Sequence, residues 1–192
     1  MDNFLKATEI IDYDHPKVLA KAKELANGCD SDEEITKVCF EFVRDKIHHS
    51  GDFQESPTTL KASEVLKYGT GWCYAKTHLL AALLRANGIP TALMYQRLNC
   101  SEYEDGSYCL HGLNGVYLKS HGWYRVDPRG NKAGVDAQFT PPVEKLAFKI
   151  GVNEFDLHER YSEPITEIIE ALLTHKTYEE MAKNIPDIKS DE

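Results

Sequence analysis

Cys73 is the residue around which chemistry can be organised. It follows Gly69-Thr70-Gly71-Trp72 and heads a run in which Ala75, Leu79, Leu80, Ala81, Ala82, Leu83, Leu84 and Ala86 recur at helical spacing with high helix propensity. Asn87-Gly88 supplies a left-handed stop, and Pro90 prevents the helix from resuming. The spacing predicts Cys73 near the first helical position, where unpaired backbone N–H groups and the positive end of the helix dipole stabilise negative charge on sulfur. The plainer alternative is a small buried hydrophobe, the more common fate of a single cysteine at a helix start.

A nucleophilic thiol needs a base within hydrogen-bond reach, and the base needs a group that holds its tautomer. His111 and Asp127 lie on two strand-like runs, 110–118 and 122–127, folded back at Lys119-Ser120-His121-Gly122. The hairpin register decides whether they can meet. A two- or four-residue loop puts the two side chains on opposite faces. An odd loop, or a bulge at Gly122, makes them diagonal neighbours on one face, about 7 to 8 Å apart at Cα. The hairpin is therefore expected to be odd-looped or bulged.

The same residue types have rival uses. His121 could serve as the base, but it falls in the hairpin loop and should be exposed. His78 sits five positions after Cys73 on the same helix and points away from it. Cys100, Cys109 and His111 are of types that bind zinc, but the paired C-x-x-C of a zinc site is missing and the loop between them is acidic. A redox thiol protein would need a resolving cysteine, which no C-x-x-C motif supplies. His48-His49 are expected to cap the negative end of the preceding helix rather than bind metal.

Stepping outward, residues 16–27 read as a helix with proline in its first turn. Ser31-Asp32-Glu33-Glu34 is a capping-box pattern before the stripe Ile35, Val38, Cys39, Phe42, Val43 and Ile47. Residues 50–62 read as a polar loop, and 63–67 as a short helix ending at Tyr68-Gly69. A strand is expected over 89–98, an acidic loop over 99–107, a further strand at 146–150, and helices after Pro164 and over 177–184. Helices first and an antiparallel sheet after them argue an α+β fold, with the Cys-bearing helix packed on the sheet. One domain over 1–192 is expected, with its core at about 16–130 and a C-terminal strand and helices at 145–184.

Composition narrows the partners. A net charge of -9, from 31 acidic and 22 basic side chains, gives no footprint for nucleic acid or an anionic membrane. No apolar run approaches the roughly 20 residues of a spanning helix, and no signal-peptide pattern opens the sequence. Five cysteines at irregular spacing fit reduced thiols and a cytoplasmic location.

Taken together, Gly71-Trp72-Cys73, the Ala82-to-Pro90 run, His111 with Val116-Tyr117-Leu118, and Gly122-Trp123-Tyr124-Arg125-Val126-Asp127-Pro128 occur in one order. With Ala62-Ser63-Glu64-Val65-Leu66 and Phe40-Glu41-Phe42-Val43-Arg44-Asp45 upstream, the sequence resembles the transglutaminase-like superfamily of papain-related thiol enzymes, in particular its stand-alone bacterial members. The likeness covers about residues 16–130. It implies Cys73 as nucleophile, His111 as general base and then acid, and Asp127 as the carboxylate that orients His111. The common family pattern His-x-Trp-x-Glu is replaced here by His111-Gly112-Leu113-Asn114-Gly115. The Cys73 N–H is the natural oxyanion donor, and Trp72, Asn114 and Trp123 are candidates for a second donor or a pocket wall.

The expected function is an enzyme that acts on peptide or protein amides through a Cys73 thioester, with no cofactor. Hydrolysis is expected over cross-linking, because the chain reads as a bare core without an accessory domain. The alternative is a catalytically silent peptide- or protein-binding module of the same fold.

Overall fold

The structure is a computed structural model and describes residues 1–100 and 106–188. α1 (Pro16–Ala26) opens with Pro16 behind His15, and α2 (Asp32–Lys46) opens behind Ser31, whose hydroxyl accepts the Glu34 N–H. The capping box is only half made, since the Glu34 carboxylate accepts from the Asp30 N–H instead. Thr36, Cys39, Phe40 and Val43 of α2 are buried, along the stripe that the spacing predicts.

His48 and His49 do not cap α2. The helix ends at Lys46, because Ile47 turns extended (φ -103, ψ 117). The two histidines form β1 (His48–His49), and the loop expected after them opens with a single turn, α3 (Ser50–Phe53). α4 (Ala62–Tyr68) ends at Gly69, and β2 (Thr70–Gly71) then pairs in parallel with β1, placing His49 beside Gly71. The next element, α5 (Cys73–Ala86), starts two residues past Gly71 with Cys73 as its first residue.

Every residue of α5 from Cys73 to Arg85 is buried, so it is a helix buried on all sides. Its polar side chains must then find partners, and they find them in surrounding backbone. Lys76 donates to the Ile47 and Arg44 carbonyls, and His78 Nδ1 meets the Leu60 carbonyl at 2.8 Å. Arg85 donates to the carbonyls of Lys6, Thr91 and Ser162. The axis of the molecule is tied in this way to segments far apart in sequence.

β3 (Thr91–Asn99), β4 (Tyr108–Leu118), β5 (Gly122–Val126) and β6 (Phe155–Tyr161) build an antiparallel sheet in the order β5-β4-β3-β6. α5 packs against β3 and β4 and against α1, α2 and α4, which is the α+β arrangement expected. The strand expected at 146–150 does not form. That stretch runs irregularly beside the cleft, and the fourth strand is β6, whose charged, mostly exposed side chains are typical of a sheet edge. α6 (Thr166–Thr174) and α7 (Tyr178–Ala182) close the chain's helical part. Most of the expected acidic loop, including Glu102, Glu104 and Asp105, lies outside the described residues.

The hairpin has the register the chemistry requires. Leu118 pairs with Gly122 across a three-residue loop, and Gly122 has φ +72, a conformation that glycine adopts without strain. Asn114 is opposite Val126, so Asp127 falls one step beyond, diagonal to His111. Gly112 is needed for a second reason. A β-carbon there would lie 3.2 Å from the Tyr74 Cα, so β4 can cross the start of α5 this closely only as glycine.

Candidate active site

The three residues expected to act together are brought together. Cys73 sits at the first position of α5, where no side chain caps the helix and the N–H groups of its first turn remain without intrahelical partners. His111 Nε2 lies 2.7 Å from Asp127 Oδ2, and the His111 ring is also within hydrogen-bond reach of the Cys73 thiol. With Nε2 on the carboxylate, Nδ1 is the nitrogen left for sulfur. Asp127 is fully buried, and among the described residues its further hydrogen-bond partners are the backbone N–H groups of Arg129 (3.2 Å) and Ala147 (3.1 Å).

These contacts decide where the protons sit. Burial acts to lower the His111 pKa, but the Asp127 charge and hydrogen bond, with Cys73 adding to them, raise it to about 10. Burial likewise works against the Asp127 charge, and His111 with the two backbone donors outweighs it and holds the carboxyl below its usual range. At neutral pH this favours the imidazolium form of His111.

A cleft of about 620 Å³ opens beside Cys73 and His111. Trp72 lines it, stacked 6.2 Å from the Tyr178 ring, with its indole N–H buried and lacking a hydrogen-bond partner among the described residues. The other two pocket candidates lie elsewhere. Asn114 turns toward α5 and donates to the Thr77 and Ala92 carbonyls, serving the core. Trp123 packs near the hairpin turn against Phe4, Tyr117 and Arg160, on a separate cavity of about 290 Å³. In both cases strand position, set by tertiary register, overrides nearness in sequence to the triad.

The rivals also resolve. His121 stays in the hairpin loop, 3.2 Å from Glu33, and His78 is buried on the Leu60 carbonyl. Among the described residues no group of three side chains is placed to hold a metal ion. Cys100 and Cys109, distant from Cys73 in sequence, line the same cleft, so other thiols do lie near Cys73 although no C-x-x-C exists. Register explains it: Cys109 is opposite Leu98, and Cys100 is its diagonal neighbour.

A model of the transglutaminase-like superfamily matches residues 20–128, more than half of the chain. The chain belongs to the transglutaminase-like superfamily. Among solved structures it is similar to a candidate cysteine protease from Cytophaga hutchinsonii, at 17% identity and a TM-score of 0.51, with 66% of this chain and 40% of that one aligned. It is also similar to the periplasmic domain of TgpA from Pseudomonas aeruginosa, at 20% identity and a TM-score of 0.49, over 65% and 45% of the two chains. The aligned region thus spans less than half of either protein. The first likeness shows the transglutaminase-like fold. No curated protein matched the sequence. No helix among the described residues is long and apolar enough to cross a membrane.

Around the triad, this transglutaminase-like chain carries a second polar group that was not anticipated from the sequence. Arg129 holds Asp52 at two points (2.7 and 3.0 Å), Lys132 reaches the same carboxylate at 2.6 Å, and His49 Nδ1 stands 3.7 Å from it without a hydrogen bond. Arg129 also lies 5.6 Å from the Phe148 ring centroid, and that ring meets the His111 imidazole edge-on at 4.9 Å. Burial, then the Arg129 charge, keep the His49 pKa well below its ordinary value. Burial opposes the Asp52 charge, yet Arg129 and Lys132 bring its pKa to about 2. One signal was available: Arg129-Gly130-Asn131-Lys132 directly follows Asp127-Pro128, so any loop leaving the triad carries those cations past the cleft.

Proposed function

We propose that this chain is a thiol enzyme that acts on peptide or protein amide bonds through a Cys73 thioester. The observation that carries this reading is a His111 imidazole held 2.7 Å from a buried Asp127 in the same cleft as Cys73, with the imidazole favoured in its protonated form. With the proton already on His111, Cys73 acts as the thiolate, which adds to the amide carbonyl carbon. The C–N bond then breaks, and His111 delivers its proton to the departing amine, leaving the acyl group on sulfur. Water or an amine, giving its proton to His111, attacks the thioester and releases sulfur as the thiolate. Hydrolysis and acyl transfer differ only in that second nucleophile.

The Cys73 N–H is the oxyanion donor that the helix start supports, and the buried Trp72 indole N–H, which lacks a partner among the described residues, is the candidate for the second. The reduced state of the cysteines supports a cytoplasmic setting.

The reading is tested by the rate of carboxymethylation with iodoacetamide at pH 6. A free cysteine is well under about 1% thiolate there, so a thiolate–imidazolium pair should react roughly 100-fold faster, and His111→Ala should remove the advantage. If Cys73 reacts like a free cysteine, or the His111→Ala variant is unchanged, the silent binding module becomes the better description. Mass spectrometry of peptide products, with and without an added amine, separates hydrolysis from transfer.

A further inference from the structure

Past α7 the chain turns back to the cleft. Pro186 accepts the Leu110 N–H at 2.8 Å, and Ile185 lines the cavity that Cys73 and His111 line. Asp187 meets Arg97 at two points, Nε to Oδ1 at 2.8 Å and a terminal nitrogen to Oδ2 at 2.7 Å. β5 covers β4 only from Asn114 to Leu118, so Leu110 lies on an open stretch of that strand, and an open strand edge accepts an extended peptide through its main chain. Arg97 is prepared for a carboxylate: its guanidinium lies 4.2 Å from the Tyr108 ring centroid and 5.9 Å from that of Phe155, which hold the fork in place. The hold on the segment combines packing of Ile185 and Ile188 against the core with polar contacts at its edge. It includes one backbone hydrogen bond and an ion pair that water still reaches, with side chains 16% and 29% exposed.

We propose that Leu110 on the β4 edge, the cleft wall at Ile185 and the Arg97 guanidinium form a peptide-docking subsite of the Cys73 cleft, which residues 185–188 of the chain itself occupy in competition with substrate. The ligand class follows from the occupant: an extended peptide with an apolar side chain toward the cleft and a carboxylate two residues further on. This rests on reading the cleft as a substrate site, as above.

The test is direct binding, read apart from turnover. A fluorescein-labelled Lys-Asn-Ile-Pro-Asp-Ile peptide is titrated into full-length Cys73→Ala protein, and into the same protein carrying Asp187→Ala. Loosening the internal segment raises the competent fraction, so the second protein should bind about fivefold tighter. Adding Arg97→Ala should erase the preference for this peptide over its Asp-to-Asn counterpart. Equal affinity in the first two proteins, or a preference that survives Arg97→Ala, overturns the proposal. Hydrogen exchange guards against a folding artefact. In the Asp187→Ala protein the Leu110 amide should exchange faster while α5 amides do not, and acceleration throughout α5 would instead mark the segment as a structural brace and overturn its role as a displaceable occupant. Because the nucleophile is absent, failure here leaves rapid thiol alkylation, and the enzyme reading, standing; slow alkylation with intact binding does the reverse.

Discussion

Two histidines of this chain stand beside aspartates near one cleft, and their protons end in opposite places. His111 is 2.7 Å from Asp127, and His49 is 3.7 Å from Asp52; both rings are buried. The difference lies in what else each carboxylate binds. Among the described residues Asp127 has two backbone N–H groups and no cation besides His111 as hydrogen-bond partners, so its charge acts on the imidazole and overcomes the burial that would lower its pKa. Asp52 is claimed by Arg129 and Lys132 and makes no hydrogen bond to His49, so its pull on the ring is outweighed by burial and by repulsion from Arg129. A carboxylate near an imidazole makes it a charged partner for a thiol only when no cation has taken that carboxylate first.

The comparison can be broken most severely at the triad. His111→Ala should reduce turnover by at least about 10³-fold, and Asp127→Asn by roughly 10² to 10⁴-fold, since the ring keeps its position but loses the charge that holds its proton. Steady-state rates on a peptide-amide substrate check both, and an Asp127→Asn variant of unchanged rate would remove the orienting role.

A second measurement sharpens the contrast without mutation. In an NMR titration His111 should stay protonated until near pH 10, while His49 should remain neutral to well below pH 6.5. The signs for stability are opposite. The raised His111 pKa gives a contribution fully present below about pH 6.5 that is lost as pH rises toward 10. The lowered His49 pKa costs stability as pH falls below about 6.5, because the unfolded chain then binds the proton more readily. If His111 titrates near its ordinary value, the proposed ion pair has no support.

Arg129→Met tests the cause. Freed from its guanidinium, Asp52 should let the His49 pKa rise, and stability should fall by roughly 2–4 kcal/mol as a mostly buried ion pair loses one partner. Chemical denaturation gives the second figure and the same titration gives the first; an unmoved His49 would assign its low pKa to burial alone. The smallest effect is expected at His121, whose 3.2 Å pairing with Glu33 is partly exposed. His121→Ala should leave thiol alkylation unchanged and alter stability by less than about 1 kcal/mol.

Much of the site was legible because its signals are local or depend on a single register. Cys73 follows from helix propensity and its glycine-bracketed start, and the pairing of His111 with Asp127 follows from one condition on the hairpin, which the three-residue loop meets. Side chains whose roles depend on long-range packing were not legible. Asn114 and Trp123 lie close in sequence to the triad residues, yet the sheet turns them to the core and to the hairpin end. His49 looked like a helix cap because the short parallel bridge to Gly71 leaves no periodic trace. β6 was missed because an edge strand buries too little to show alternation, whereas 146–150 is apolar for the sake of the cleft wall and not of a sheet.

By itself, then, the sequence determined the α+β order, the thiol at a helix start and the pair that could serve it. Those features arise from propensity and spacing within a few tens of residues. Only the tertiary structure decided which carboxylate is free to charge which histidine, which thiols share the cleft, and that residues 185–188 return to its edge. Each of these depends on desolvation and on contacts between segments far apart in the chain, and neither composition nor periodicity encodes them.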